Sequence, residues 1–355
     1  MLINTSMAMN PIGTFYSPKF LEHDMLGHPE HAGRLTAVMH VLQHKAAHAM
    51  IALPFEAATN EQLGRVHKAN YVRDLERTCA FGGGLLDGGD TYTTDASFDA
   101  AALAAGASME ATRVVMKGDI KRTYVLPRPP GHHAYADHAE GFCLFNNVAF
   151  ATCCAIDEFA LERVMIVDWD VHHGNGTEAI FYDDPRVLYI SAHQYGGIYP
   201  GTGTSNAVGW QNGVGANMNI PLPEGVGDKG YVRAFNELIV PKARQFKPQL
   251  ILISAGYDAH WRDPLANMRV SIGGFAQLTH IMAALSDEFC GGKMICVLEG
   301  GYDLEVLGHG VLSTLQVMSG VTLDQIEDPI GATKHEMAVE RLDPLFEQIK
   351  KAQRI

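Results

Sequence analysis

From about residue 120 onward the chain repeats one pattern: a short apolar run, a polar or glycine-bearing loop, then a stretch with apolar residues at helical spacing. The apolar runs predict buried strands at Thr123 to Leu126, Val164 to Asp168, Val187 to Ser191, Leu250 to Ser254 and Met294 to Leu298, with an earlier one at Ile12 to Tyr16. Helices are predicted at Asn146 to Phe159, Lys229 to Gln245, Gly274 to Phe289 and Leu304 to Met318. Upstream, Leu35, Val38, Met39 and Leu42 are spaced as on a helix that follows the loop at Gly27, His28 and Pro29. Glu61 to His67 and Tyr71 to Cys79 read as shorter helices, and Ala100 to Lys117 as an alanine-rich one. Strands alternating with helices imply a single three-layer α/β domain, its mostly parallel central sheet covered by helices on both faces. The domain is expected to span 1–355, with its core over about 12–320 and a charged, peripheral helical tail over 324–355.

In such sheets ligands bind beyond the carboxyl ends of the strands. The polar clusters of this sequence obey that rule: RPPGHHAYADHAEGFC, DWDVHHGNG, SAHQYGGIYPGTG, SAGYDAHWRDP and EGGYD each follow one predicted strand. Clusters gathered on one sheet edge point to a single large active site. By contrast, FGGGLLDGGDTYTTD lacks the endings of a phosphate-binding loop. Whether that loop and the one from Gln194 to Val214 shape the mouth of the site or a subunit contact in a homo-oligomer is left open by their composition.

Composition removes several function classes. A formal net charge of -13 and the lack of a long Lys/Arg run argue against nucleic acid as the main partner. The opening MLINTSMAMNPIG has neither the basic start nor the apolar stretch of a secretory signal, and no apolar run reaches about 18 residues, so a cytoplasmic protein without a membrane partner is expected. The six cysteines lack C-x-x-C spacing and read as reduced core thiols.

The chemistry concentrates in VMIVDWDVHHGNGT, Val164 to Thr177. On a strand, alternate residues share a face, so Asp168, Asp170 and His172 can point one way. Two carboxylates converging with an imidazole call for a cation between them. Asp170 and His172 supply two ligands and Asp258 the third, a set that leaves an open position as in catalytic zinc sites. Two carboxylates blunt the ion's power to acidify water, so a base is required. The adjacent His132 and His133 can provide it, with their pKa values driven apart. Asp168 and Asn175 are the candidates to orient their far nitrogens. His133 is assigned as general base and His132, paired with Asp168, as its electrostatic partner. Tyr302, after two glycines that allow close backbone approach, is placed to donate a hydrogen bond to a developing oxyanion. Metal, base and oxyanion donor together describe hydrolysis of an amide or ester.

These residues resemble the zinc-dependent histone deacetylase family, of arginase/deacetylase fold. The series HPEHAGR, RPPGHHA, GFCLFNN, VDWDVHHGNGT, PGTG, SAGYDAHWRDP and LEGGYD runs in order through most of the chain. With Asn175 in HHGNGT, the version here is similar to class II deacetylases, to bacterial histone deacetylase-like amidohydrolases and to acetylpolyamine amidohydrolases. The resemblance implies one zinc on Asp170, His172 and Asp258, and a structural potassium ion near Asp168, Asp170 and Ser191 with carbonyls from His172 and Ala192. It also implies a narrow tunnel lined by Phe142 and Tyr199, a Gly141 carbonyl facing the substrate amide, and Arg34 along an inner channel.

Relative to class I, Asn175 replaces an aspartate and leaves one histidine with a neutral partner. Leu265 stands where a polyamine-selective relative has a glutamate, which tilts the expected substrate from acetylpolyamine toward acyl-lysine, carried by a peptide or a small molecule. Two other readings are a binuclear manganese ureohydrolase, which would need bridging carboxylates where this chain has H-H-G and D-A-H, and a non-catalytic binder of acetylated ligands.

Overall fold

The computed structural model describes residues 10–45 and 50–355. Residues 1–9 of the stretch read above for a secretory signal lie outside them. Ten strands are described: β1 (Ile12–Phe15), β2 (Met50–Ala52), β3 (Gly84–Leu85), β4 (Tyr92–Thr93), β5 (Arg122–Val125), β6 (Val164–Asp168), β7 (Val187–Gln194), β8 (Asn217–Leu222), β9 (Leu250–Ala255) and β10 (Met294–Leu298). The helices are α1 (Gly33–Lys45), α2 (Asn60–Leu63), α3 (Ala69–Ala80), α4 (Ser97–Lys117), α5 (Asn147–Phe159), α6 (Asn175–Phe181), α7 (Asp228–Ala234), α8 (Val240–Phe246), α9 (Ile272–Cys290), α10 (Leu304–Ser319) and α11 (Asp343–Gln353).

Eight strands form one sheet in the order β2-β1-β5-β10-β9-β6-β7-β8, and every pairing in it is parallel. The continuous apolar runs of the central strands follow from burial on both faces. In β6, Met165 and Val167 enter the core shared with α1, α9 and α10, while Val164 and Ile166 enter the opposite core beneath α3, α4 and α5. Period-2 alternation between two apolar layers thus produces the three-layer α/β domain.

The chain order of the central strands matters for function. Between β5 and β6 in space lie β10 and β9, which come last in sequence. The loops leaving β5, β10, β9 and β6 therefore emerge side by side, although they span residues 126 to 302. Such a switch in strand order opens a crevice at the carboxyl edge.

Several elements differ from expectation. β7 extends to Gln194 because Tyr189–Gln194 pairs with the edge strand β8, whose mixed NMNIPL sequence carries no clear alternation. β2 is a second unpredicted edge strand, short and partly exposed. The helix expected over Glu61 to His67 shrinks to Asn60–Leu63, begun by a Thr59 capping box and ended at Gly64. The helix predicted through Lys229 to Gln245 contains a wider turn at Phe235–Ile239, just ahead of Pro241, which has no N–H to donate. The tail is α-helical only over Asp343–Gln353, after a 3-10 turn at Val339–Leu342, and it is not merely peripheral: Phe346 and Ile349 are fully buried and Gln353 Nε2 donates to Asn217 O at 2.8 Å, covering the β8 edge. All six cysteines are free, as read from their spacing, and among the described residues no helix is long and apolar enough to cross a membrane.

Beneath the carboxyl edge lies a buried ion cluster. Glu30 receives Arg128 Nε at 2.6 Å and Arg34 Nη1 at 3.0 Å on one oxygen, and Arg128 Nη2 at 2.8 Å on the other. Burial would raise the Glu30 carboxyl, but the Arg128 and Arg34 guanidiniums outweigh it and hold the group well below the usual carboxylate range. Replacing Glu30 with Gln leaves two buried cations undercompensated, and we expect a loss of about 3–5 kcal/mol in stability at neutral pH. Because the folded-state pKa is depressed, that contribution is complete above the unfolded value of about 4.3 and fades as pH falls below it. Urea midpoints of the two proteins should therefore lie far apart at pH 7 and converge in acid.

Candidate active site

Asp168 ends β6, and Asp170 and His172 follow it at alternate positions. The turn is set by its own polar groups: the Asp170 N–H donates to Asp168 Oδ1 at 3.1 Å and the His172 N–H to Asp170 Oδ1 at 2.9 Å. Asp258, beyond β9, accepts the Val171 N–H at 2.8 Å and so locks the two loops together. One ligand atom from each of Asp170, His172 and Asp258 lies within 4.8 Å of the others, and all three residues are buried. His172 Nδ1 stands 3.1 Å from Asp170 Oδ1 and 3.2 Å from Asp258 Oδ2.

This arrangement fits a metal ion on two independent grounds. Asp258 Oδ2 is buried without any hydrogen bond, an expensive state for a carboxylate oxygen unless a cation faces it. Glycines also clear the space around the carboxylates: a Cβ at Gly300 would come within 2.1 Å of Asp258 Oδ2 and 2.6 Å of Asp170 Oδ2, and one at Gly256 within 2.1 Å of Asp170 Oδ2. Burial opposes a charged His172, yet Asp170 and Asp258 push its pKa up to about 10. The cluster is thus short of one positive charge, which a proton on His172 or a metal can supply. One nitrogen and carboxylate oxygens are ligands that suit zinc.

The tandem histidines sit on the neighbouring loop after β5, their ring centroids 4.0 Å apart. His132 Nδ1 donates to Asp168 Oδ2 at 3.0 Å, and Tyr189 OH donates to the same oxygen at 3.1 Å. His133 Nδ1 donates to Asn175 Oδ1 at 2.7 Å. Burial disfavours charge on both rings, but Asp170 and Asp168 raise His132 to about 10. His133 is driven well below its ordinary value by burial and by the positive His132 and His172. The pair consequently holds one cationic and one neutral imidazole.

Tyr302 is half-buried, with Arg34 Cζ 5.0 Å from its ring centroid and the Phe142 ring at 6.0 Å, edge-on. Burial raises its phenol well above the ordinary value, Arg34 opposes, and Asp258 and Asp170 add to the rise, so it stays a proton donor. Arg34 is fully buried and donates to Gly301 O at 2.8 Å and Glu299 O at 2.5 Å, fixing the turn that carries Tyr302. On the opposite side, the Tyr199 ring lies 5.1 Å from His133 and 6.3 Å from His172. Gly141 and Phe142 both have positive φ, +54° and +68°, and the loop before β4 clamps them: Asp87 Oδ2 accepts the Gly141 N–H at 3.3 Å and Thr91 Oγ1 the Phe142 N–H at 2.9 Å.

A cleft of about 760 Å³ opens here, lined by Leu86, Asp87, Asp90, Glu140, His138 and Tyr199 among others. The glycine-rich loop left open by its composition therefore lines this cleft, which shares Glu140 and Tyr199 with the surroundings of His133. Leu265 is half-buried on the loop beyond β9, its N–H held by Asp263 Oδ1 at 3.0 Å. Ser191 is the register partner of Asp168, which brings it and Ala192 to the side of the cluster away from β9.

Three acids escaped the sequence reading although each lies inside a quoted motif. Asp263 Oδ2 accepts the Tyr302 N–H at 2.7 Å. Glu299 Oε2 accepts the N–H groups of Gly131 at 2.7 Å and His132 at 3.1 Å, seating the tandem histidines. Glu140 Oε1 takes hydrogen bonds from Asn175 Nδ2 at 3.1 Å and Tyr199 OH at 2.7 Å. Spacing alone offers no signal for any of them, since their partners come from distant segments.

Comparison with known proteins agrees with this geometry. Residues 28–318 match the model of the histone deacetylase domain. A probable deacetylase of Archaeoglobus fulgidus is 38% identical over 89% of this chain and 89% of its own length. The human polyamine deacetylase HDAC10 is 38% identical over 85% of this chain, which spans 46% of that longer protein. Among solved structures, the HD domain of HDA15 superposes with a TM-score of 0.87 at 33% identity, covering 97% of this chain and 94% of that one. With the family model spanning most of its length and its fold shared throughout, this chain belongs to the histone deacetylase family and is a deacetylase hydrolase.

Proposed function

We propose that the chain is a zinc-dependent deacylase that hydrolyses the amide of an N-acylated amine presented on a thin linear chain, with acyl-lysine as the favoured substrate. The observation that carries this reading is the buried cluster of Asp170, His172 and Asp258, one of whose carboxylate oxygens lacks any hydrogen bond, with the neutral imidazole of His133 beside it, its ring 6.0 Å from that of His172. Asp170, His172 and Asp258 would hold one zinc per chain, which when bound polarises the scissile carbonyl and acidifies water.

His133 then acts as general base, its far nitrogen occupied by Asn175 and its Nε2 free. Neutrality is what a base needs, and the cationic His132 beside it maintains that state while Asp168 keeps the positive charge in place. His133, once protonated, can return the proton to the departing amine. Tyr302 donates its hydrogen bond to the oxyanion, and the Gly141 carbonyl accepts the substrate amide N–H. Phe142 and Tyr199 form the tunnel walls, with Arg34 behind them. Asp168, Asp170 and Ser191, with the carbonyls of His172 and Ala192, would hold a structural potassium ion, a reading supported by the pairing of Asp168 with Ser191.

A second substrate, an acetylated polyamine, is favoured by one feature. The cleft is lined by Asp87, Asp90 and Glu140 and by no lysine or arginine, which suits a cation. Against it, the half-buried Leu265 supplies an apolar side chain on the loop beyond β9, where the family resemblance gives a polyamine-selective relative a glutamate. Side-by-side kcat/KM on an acetyl-lysine peptide and an acetylated polyamine decides between them. We expect the peptide to be preferred. A polyamine preference of about 100-fold, near 2.7 kcal/mol of transition-state binding, would overturn that choice.

Two variants test the machinery. Tyr302→Phe should lower kcat by about 100- to 1,000-fold while substrate binding, read by competition, persists, and unchanged turnover would remove Tyr302 from its role. Gly300→Ala puts a methyl group against both carboxylates, so metal retention against a chelator should weaken about 10- to 100-fold with the circular dichroism spectrum preserved. Metal analysis of the parent should find one transition ion per chain rather than two.

A further inference from the structure

An asparagine behind a catalytic imidazole poses a problem that an aspartate does not. Its side-chain amide has an oxygen face and a nitrogen face of nearly equal shape. With Oδ1 toward His133, Nδ1 of the ring carries the proton and Nε2 keeps the lone pair required of a base. With the amide reversed, its NH₂ group would donate to Nδ1, the ring proton would move to Nε2, and the base would be lost. Something must choose between the two.

We propose that Glu140 makes that choice: it is a positioning residue that sets the tautomer of His133 by fixing the direction of the Asn175 amide. The inference rests on the reading of His133 as general base. Glu140 Oε1 lies 3.1 Å from Asn175 Nδ2, and a carboxylate only accepts hydrogen bonds, so only the NH₂ face of the amide can point toward it. Asn175 Oδ1 is thereby turned to His133 Nδ1, 2.7 Å away. The Tyr135 hydroxyl also faces Asn175, but a phenol both donates and accepts and imposes no direction.

Glu140 is itself held for the task. Its backbone exchanges two hydrogen bonds with Cys143, at 3.2 and 2.9 Å, and its Oε1 also receives Tyr199 OH at 2.7 Å. His138 Nε2 stands 3.6 Å from Oε2. The next residue, Gly141, lies so near His133 that a Cβ there would come within 2.4 Å of the ring's Cδ2. The segment that carries Glu140 therefore packs on the imidazole whose proton it places. Tyr199, on the tunnel wall, shares the same carboxylate, so the wall and the base are tied through a single side chain.

The test uses the zinc-loaded full chain, an acetyl-lysine peptide, and the ring-nitrogen NMR shifts of [15N]histidine-labelled protein, with His133 assigned by the signal lost in His133→Gln. Glu140→Gln keeps the size of the side chain but can present either an oxygen or an NH₂ group. We expect it to lower kcat by about 10- to 100-fold with KM changed less than about twofold, and to convert His133 from a single Nδ1–H tautomer to a mixture. In an Asn175→Asp background the acceptor no longer needs orienting, and Glu140 would stand against a second carboxylate. There Glu140→Gln should cause no loss.

Equal losses in both backgrounds would mark Glu140 as merely structural and overturn the proposal, as would a Glu140→Gln protein that keeps full kcat and the pure Nδ1–H tautomer. Should the parent turn over no acylated amine at all, the functional reading fails instead, and the nitrogen shifts alone decide the role of Glu140.

Discussion

The structure is arranged around an excess of buried negative charge at the carboxyl edge of its sheet. Asp168, Asp170, Asp258 and Glu299 are all fully buried within a few residues of strand ends. Carboxylates at such a density are tolerated only where each oxygen finds a donor or a cation. Asp168 finds His132 and Tyr189, Glu299 finds two backbone N–H groups, and Asp170 takes N–H groups of its own loop and of Gly300. The remainder, Asp258 Oδ2, accepts no hydrogen bond and faces only His172 Nδ1, at 3.2 Å. The negative charge of the cluster fits the site to a cation, and with burial it also drives the two histidines apart in protonation.

The scaffold supplies rigidity in proportion. The loops that carry His132, Asp170, Asp258 and Tyr302 each leave a strand buried on both faces, and they brace one another through the Val171 N–H on Asp258 and the Tyr302 N–H on Asp263. Below them, Glu30 with Arg34 and Arg128 joins the start of α1 to the loop after β5 and to the turn that carries Tyr302. Glycines occupy positions where a side chain would collide with the site, Gly256 and Gly300 against the carboxylates and Gly141 against His133. A centre held this tightly loses little free energy to reorganisation during reaction.

Asn175 gives the centre its individual character. A neutral partner stabilises an imidazolium less than a carboxylate would, so burial and the positive His132 and His172 still hold His133 well below its ordinary value. The acid that is missing at Asn175 reappears one shell further out at Glu140, beside an open mouth with Asp87 and Asp90. Charge that could have sat directly behind His133 is instead held at the cleft.

The amino-acid sequence by itself determined the α/β alternation, the central strands and most of the polar residues that the fold gathers at the sheet edge, because each of these is written in local pattern. Apolar runs of strand length followed by paired histidines, aspartates and glycines are legible wherever they occur, and Asp170, His172, His132 and His133 needed no distant information to be noticed. The edge strands β2 and β8 were not legible, since an edge strand is stabilised by its neighbour, and β8 also by the helix α11 that covers it, rather than by its own alternation. The same holds for Glu140, Glu299 and Asp263, ordinary acids in sequence that acquire roles only through Asn175, His132 and Tyr302. What the tertiary structure alone decided is the insertion of β10 and β9 between β5 and β6, which brings four loops spread over residues 126 to 302 to one point. Strand order is set by the packing of whole layers, and no short stretch of chain encodes it.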